Sequence, residues 1–185
     1  MTESARSAAA RVVRALLSAD DGHSPAVSGS ASAGGPVPTV AVAESLTSGL
    51  VASLLAEIPG VSRWFLGGVV AYSHGAKERL LGVDGAALER FGAVTEDVAR
   101  QMARGVAERL GARWAVATTG VAGPGPADGE PAGTAWLAVV DTQVGEVRTR
   151  LVHSEGGRDE VRWGTAAAAL EFLAEIVEQN GGGVG

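Results

Sequence analysis

Lys77 is the single lysine among the 15 basic side chains of this 185-residue chain, and Tyr72 is its single tyrosine. Everywhere else a positive charge is carried by arginine. A primary amine can lose its proton inside a protein and a guanidinium effectively cannot, so position 77 is where a general base or proton shuttle is to be sought. The nucleophile it would serve is Ser45. This residue sits in Glu44-Ser45-Leu46-Thr47-Ser48-Gly49, a polar knot between the apolar run Val40-Ala41-Val42-Ala43 and a helical pattern of Leu50, Val51, Leu54, Leu55 and Ile58. Such a strand-to-helix turn leaves backbone N–H groups without intrahelical partners, and the helix dipole favours an anion there. The plainer alternatives are that Ser45 or Thr47 only caps the helix and that Lys77 lies on a solvated face. Both Ser45 and Lys77 follow buried strands, however. In an open α/β sheet that puts both at the carboxyl edge, where ligands bind, and makes a Ser/Lys pair with Tyr72 as auxiliary geometrically reasonable.

Other groups gather around that pair in the pattern. Residues 119–133 form a glycine-rich loop too long for a simple turn. It lacks both the G-K-[ST] ending of a phosphate loop and the G-x-G-x-x-G dinucleotide pattern, so it is read as a place of close backbone approach at Gly120 and Gly123, the plainer alternative being an awkward connection against which its length counts. Thr118, Thr119 and Thr134 supply hydroxyls. Arg158 and Arg162 are four apart at the start of the last helix and can share a face as a phosphate clamp, or be an ordinary surface pair. His23, His74 and His153 show no metal-ligand spacing and there is no cysteine, so no metal and no cofactor is expected. A formal charge of −6 argues against a nucleic-acid surface. No run is long enough to span a membrane and the N-terminus carries no signal-peptide core, so a cytoplasmic protein is expected.

The elements that position these groups follow from periodicity. A first amphipathic helix is expected over residues 4–19, with Ala8, Val12, Val13, Leu16 and Leu17 inward, followed by a flexible small-residue connection over 20–38. The core domain, 39–179, opens with a strand at 39–43 and its helix. A second strand covers 65–72, short helices run to Leu81 and over 84–91, and a long helix opened by Thr95 extends to Leu110. Residues 114–118 form a third strand, 134–140 and 146–153 a hairpin, 158–178 a closing helix, and 180–185 a frayed tail. The class is α/β: a three-layer α/β/α sandwich with a mixed, mostly parallel sheet.

Several ordered motifs, T-V-A-V-A-E-S-L-T-S-G, G-G-V-V-A-Y-S-H-G-A-K, F-G-A-V-T-E-D-V-A, T-T-G-V-A-G-P, P-A-G-T-A-W and G-G-R-D-E-V-R, give the chain a resemblance across about residues 37–177. It resembles the nicotinamide-nucleotide amidohydrolases, which form the C-terminal domain of the competence and damage-inducible protein CinA and also occur alone. The resemblance implies hydrolysis of the carboxamide of nicotinamide mononucleotide to the acid and ammonia. Ser45 matches the nucleophile and Tyr72 and Lys77 its proton-transfer partners, with Lys77 acting directly or through Tyr72. N–H groups of Thr47, Ser48 and Gly49 are expected to hold the oxyanion. His74, Thr119, Gly120, Gly123, Thr134, Arg158 and Arg162 are expected around the substrate, and a homo-oligomer, most simply a dimer, is implied. The chain departs from the usual family pattern at Leu46, at Ser48 in place of the first of two glycines, and at His74 in place of asparagine. The added Cβ at position 48 is expected to crowd the anion site. Two rival readings share the pocket: a nucleotide-binding or regulatory module without turnover, and an amidase for another carboxamide.

Overall fold

Valine and alanine alternate along the central strands, and because successive strand residues face opposite sides, the alternation gives the sheet a bulky face and a thin one. The computed structural model describes residues 3–18 and 37–181. Its elements are α1 (Glu3–Ser18), β1 (Val40–Glu44), α2 (Leu50–Ala56), β2 (Phe65–Val70), α3 (His74–Leu81), α4 (Gly85–Phe91), α5 (Glu96–Leu110), β3 (Trp114–Gly120), β4 (Thr134–Asp141), β5 (Glu146–His153) and α6 (Arg158–Gly181). One five-stranded sheet has the order β2-β1-β3-β4-β5. β1 is parallel to both β2 and β3, and β4 is antiparallel to both β3 and β5, so every strand but β4 points the same way. This is the expected α/β/α sandwich with a mixed sheet.

On the bulky face Val40, Val42, Trp114, Val116, Leu137 and Val139 pack against α1, α2 and α6. On the thin face Ala41, Ala43, Ala115, Ala117 and Ala138 pack against α5, which presents Val98, Ala99, Met102, Ala103 and Val106. Small residues on both sides of that contact let α5 lie close to the sheet. The chain leaves β1 through α2 on one face and reaches β3 through α3, α4 and α5 on the other. The carboxyl ends of β1, β2 and β3 therefore open onto a crevice, the usual ligand position in such sheets.

The boundaries differ from expectation in a few places, each for a local reason. Glu44 extends β1 because it pairs with Val70 on one side and Thr118 on the other. β2 stops at Val70, so Tyr72 lies beyond the strand, just ahead of the α3 cap Ser73. The expected flexible connection falls mostly outside the described residues, but Val37 and Pro38 are buried, with Val37 in the core, so the core domain includes residues before 39. α6 runs on through Asn180, whose side-chain amide donates to Asp141 Oδ2 at 3.3 Å, rather than fraying there. Leu17, counted as inward, is exposed; α1 buries Ala8, Val12 and Leu16 as expected, with Ala5, Ala9 and Ala15 beside them, and pairs Arg11 with Glu178 of α6.

Gly105 marks the closest approach of α5 to the end of α3. A Cβ there would run into the carbonyl oxygen and carbon of Leu81. Helix propensity favours alanine over glycine by about 1 kcal/mol, but backbone overlap costs more, so Gly105→Ala is expected to destabilise the fold by about 2 kcal/mol net. A melting curve would show a Tm lower by roughly 4–8 °C, and a rise in Tm would refute the close packing.

Candidate active site

The turn after β1 is built by an acid the sequence reading did not single out. Glu44 is buried, and its carboxylate accepts the N–H groups of Gly49 at 2.9 Å, Val51 at 3.1 Å and Ala52 at 2.9 Å. It thereby serves as the cap of α2, whose N-cap residue Gly49 has no capping side chain. Two expectations change as a result. Neither Ser45 nor Thr47 is the helix cap, and the N–H of Gly49 is not available to an oxyanion. Ser48 donates its N–H to the Ser45 carbonyl at 3.1 Å, which removes a second expected donor. Among the described residues, the N–H groups of Leu46 and Thr47 are the ones in this turn with no protein acceptor.

The turn is held from three sides. Ser45 N–H donates to Thr118 O at 3.0 Å, and the hydroxyls of Thr47 and Thr118 meet at 2.8 Å. Arg162 Nε donates to Leu46 O at 3.2 Å and its Nη2 to Thr47 O at 3.4 Å. Ser48 and Gly49 both take left-handed backbone angles, with φ of 49° and 95°. Ser48 is exposed and does not line the cavity, so the expected crowding is absent; its consequence is strain in a conformation that glycine adopts freely.

Lys77 comes to the turn from the first half of α3. The helix starts there because Ser73 is extended and accepts the N–H of Ala76 at 3.2 Å as its cap. The amine is buried and its Nζ donates to Ser45 Oγ at 3.0 Å, to Ala71 O at 3.0 Å and to Tyr72 O at 3.4 Å. All three partners are neutral oxygens. Burial without a touching carboxylate lowers its pKa to about 8, with the charge of Asp128 working the other way.

The phenol of Tyr72 is placed elsewhere. It is exposed and accepts from Arg158 Nη2 at 2.8 Å, while Arg158 Nη1 donates to Gly123 O at 2.7 Å. Lys77 thus touches Ser45 directly, and what Tyr72 offers to the amine is its backbone carbonyl; the relay through the phenol is not formed. The two arginines also part company. Arg158 faces the cavity rim, whereas Arg162 supports the turn from behind, so the expected two-pronged clamp is reduced to Arg158.

These residues open onto a cavity of about 320 Å³, within the range of small-molecule sites. Ser45 lines it from the end of β1, Tyr72, His74 and Lys77 from the β2–α3 junction, Thr119, Gly120 and Gly123 from β3 and the loop beyond, and Arg158 from α6. Thr47, Ser48, Gly49, Thr134 and Arg162 do not line it. Thr119 has its hydroxyl committed to Ala93 O at 2.7 Å, tying the loop before α5 to β3. Thr134 is buried at the start of β4, where its carbonyl accepts Val121 N–H at 2.9 Å. Sequence reasoning missed Glu44 and Asp128. A buried strand ending in an acid five residues before a glycine was the available signal for Glu44. Asp128 lines the cavity, and nothing in its spacing ties it to the partners it finds, the Ala93 N–H at 2.8 Å and His74 Nε2 at 3.9 Å.

The strain at Ser48 gives a direct test. Ser48→Gly is expected to relieve about 1 kcal/mol and to raise Tm by roughly 2–4 °C while leaving ligand binding intact. A fall in Tm would mean that the Ser48 hydroxyl, which donates to Ser45 O at 3.2 Å, matters more than the backbone angle.

Among the described residues no group of three or more His, Cys, Asp or Glu side chains is placed to hold a metal ion, and no helix is long and apolar enough to cross a membrane. The family model for the CinA C-terminal domain matches residues 34–177. A CinA-like protein of Chlorobium limicola is 45% identical over 147 residues, covering 75% of this chain and 34% of that protein. Another from Mycobacterium marinum is 43% identical over 143 residues, covering 76% and 33%. The chain spans about a third of the length of these curated relatives. A crystal structure of a competence/damage inducible protein from Agrobacterium tumefaciens superposes with a TM-score of 0.80 at 33% identity, covering 95% of this chain and 97% of that one. A CinA superfamily protein from Klebsiella pneumoniae gives 0.81 at 28% identity, covering 95% and 98%. A nearly complete structural match, relatives more than 40% identical over three quarters of the chain, and a family model spanning the whole sheet lead to one conclusion: the chain belongs to the CinA C-terminal domain family.

Proposed function

We propose that the protein is an amidohydrolase that deamidates nicotinamide mononucleotide to nicotinate mononucleotide and ammonia. The observation that carries this reading is the 3.0 Å contact between Lys77 Nζ and Ser45 Oγ, made by an amine whose other two contacts are carbonyl oxygens. Carbonyls can only accept. When the amine is neutral it has two N–H bonds to give them and one lone pair left, which falls to the serine hydroxyl. That is the arrangement a general base needs.

Ser45 Oγ attacks the carboxamide carbon as its proton passes to Lys77. The oxyanion so formed is held by the N–H groups of Leu46 and Thr47, each such donor contributing about 3 kcal/mol in comparable sites. Collapse breaks the C–N bond, and the ammonium of Lys77 returns the proton so that ammonia leaves. A water, deprotonated by the same amine, then attacks the acyl-serine; the acid departs and Ser45 is restored. Arg158 at the rim exchanges its protein partners for the 5′-phosphate, and the loop after β3 approaches the ribose through backbone at Gly120 and Gly123. The homodimer implied by the resemblance belongs to the same proposal, and light scattering in solution checks it.

Three measurements test the reading. Ammonia release from nicotinamide mononucleotide should be lost in Ser45→Ala; no release from the native protein would leave a nucleotide-binding module in its place. Lys77→Met, which removes the buried amine but keeps its length, should lower kcat by about 10²–10⁴-fold with an unchanged circular dichroism spectrum. A native rate in that variant would remove the lysine from the mechanism. Because burial holds the pKa of Lys77 at about 8, the base is mostly protonated at neutral pH. The value of kcat/KM should therefore climb about tenfold per pH unit below that point and level off above it, the sign expected for a group that must be deprotonated. A profile falling through the same range would contradict a lysine base.

A further inference from the structure

We propose that Asp128 is the counter-ion of a positively charged heteroaromatic ring in the substrate, so that the site selects quaternary pyridinium carboxamides over uncharged carboxamides of the same shape. The inference rests on the deamidation reading of the same cavity and names what that reading leaves open, the group that recognises the ring.

Asp128 is the one acidic residue among those lining the cavity, whose cationic side chains are Lys77 and Arg158. It is built into place. Its Oδ2 accepts the Ala93 N–H at 2.8 Å. The residue takes a left-handed backbone angle, φ 51°, inside a two-way bridge in which Ala127 N–H donates to Glu130 O at 3.0 Å and Glu130 N–H to Ala127 O at 2.9 Å. On the other side its Cβ fits against Gly92, where a Cβ would come within 2.8 Å of it. The carboxylate is therefore fixed by the loop on one side and by the segment before α5 on the other. Among the described residues His74 stands against it, with Nε2 3.9 Å away, and the Asp128 side chain keeps 32% of its surface exposed.

In the proton transfer itself this carboxylate is a handicap, because a negative charge near Lys77 favours the protonated amine. A cationic ring bound beside Asp128 cancels that field and returns the amine to the state the chemistry needs. The layout also suits a nucleotide whose carboxamide meets Ser45 and whose phosphate meets exposed Arg158. The ring between them lies in a space whose remaining charge is negative. An uncharged ring of the same outline gains nothing from Asp128 and leaves the field on Lys77 unopposed.

The probes are nicotinamide mononucleotide and its reduced dihydropyridine form, which has the same carboxamide, ribose and phosphate but no ring charge. Their dissociation constants are to be measured by calorimetry on Ser45→Ala protein, with and without Asp128→Asn. The amide keeps an oxygen for the Ala93 N–H, and a melting curve confirms that the fold is retained. The oxidised form is expected to bind about tenfold more tightly than the reduced form, a figure that discounts a close ion pair for partial exposure. Asp128→Asn should abolish most of that preference by weakening the cation more than the neutral ring. A preference that survives Asp128→Asn unchanged overturns the proposal, as does an absence of any preference or of any binding. Ammonia release by the native chain is read separately. Charge-dependent binding without ammonia would sink the deamidation reading and leave this one standing. Ammonia release with the same oxidised-to-reduced ratio of kcat/KM in native and Asp128→Asn protein would do the reverse.

Discussion

A primary amine buried against three neutral oxygens is the constraint around which the site is organised. Leaving water costs an ammonium more than it costs an amine, and here no touching carboxylate offsets the difference, so the proton is held loosely. The arrangement is possible because β1 and β2 are parallel neighbours. Glu44 pairs with Val70, so the residues that follow each strand, Ser45 on one and Ala71 and Tyr72 on the other, emerge side by side. Only three residues separate β2 from α3, the last of them the cap Ser73, and the helix so carries Lys77 back over the two carbonyls and the hydroxyl. Separate the two strand ends by one register step and the amine would face different atoms.

The rest of the fold keeps those ends still. β3 grips the turn through the carbonyl and hydroxyl of Thr118, and α6 grips it through Arg162. The thin alanine face of the sheet lets α5 sit close, and the segment leading into it, through Ala93, meets both Thr119 and Asp128. One short stretch of chain thus joins the end of β3 to the loop that walls the cavity. The bulky face does the opposite job. Its valines and Trp114 carry α1, α2 and α6 and contribute most of the apolar burial, away from the chemistry.

How far this was legible in the sequence depends on whether the information is local. The strands and helices were, because alternation and helical spacing are written in neighbouring residues, and Thr95 did cap α5 through the N–H of Val98. The Ser45 and Lys77 positions were legible through strand ends and through the rarity of lysine. What failed was partner choice across long separations. Arg158 and Arg162 have the spacing of a shared face, yet one reaches Tyr72 and Gly123 while the other reaches Leu46 and Thr47. Spacing fixes a direction on the helix and says nothing of what waits there. Ser48 was expected to matter through its side chain, but its effect lies in the backbone angle, which a residue name reveals only when it is glycine. Asp128 finds Ala93, 35 residues away in the chain, and no local pattern encodes that meeting.

Glu44 bears on how the oxyanion of the proposed reaction would be stabilised. A strand-to-helix turn invites the view that the helix dipole holds the anion. Here the first N–H groups of α2 are already satisfied by a buried carboxylate, which places a full negative charge at the end where the dipole is positive. The long-range field of α2 is thereby spent inside the protein. In the proposed reaction a second anion would then draw on donors at contact distance, the N–H groups of Leu46 and Thr47, and on a positive charge that arrives only as the reaction proceeds. In the proposed reaction the deprotonated fraction of Lys77 would supply it, since on taking the proton of Ser45 the amine becomes an ammonium beside the developing oxyanion. A resting ammonium would have been as favourable to a bound anion as to the reacting one. Within the deprotonated fraction that reacts, an amine charged only after the proton moves favours the later state selectively, which is the condition for lowering a barrier rather than merely tightening binding.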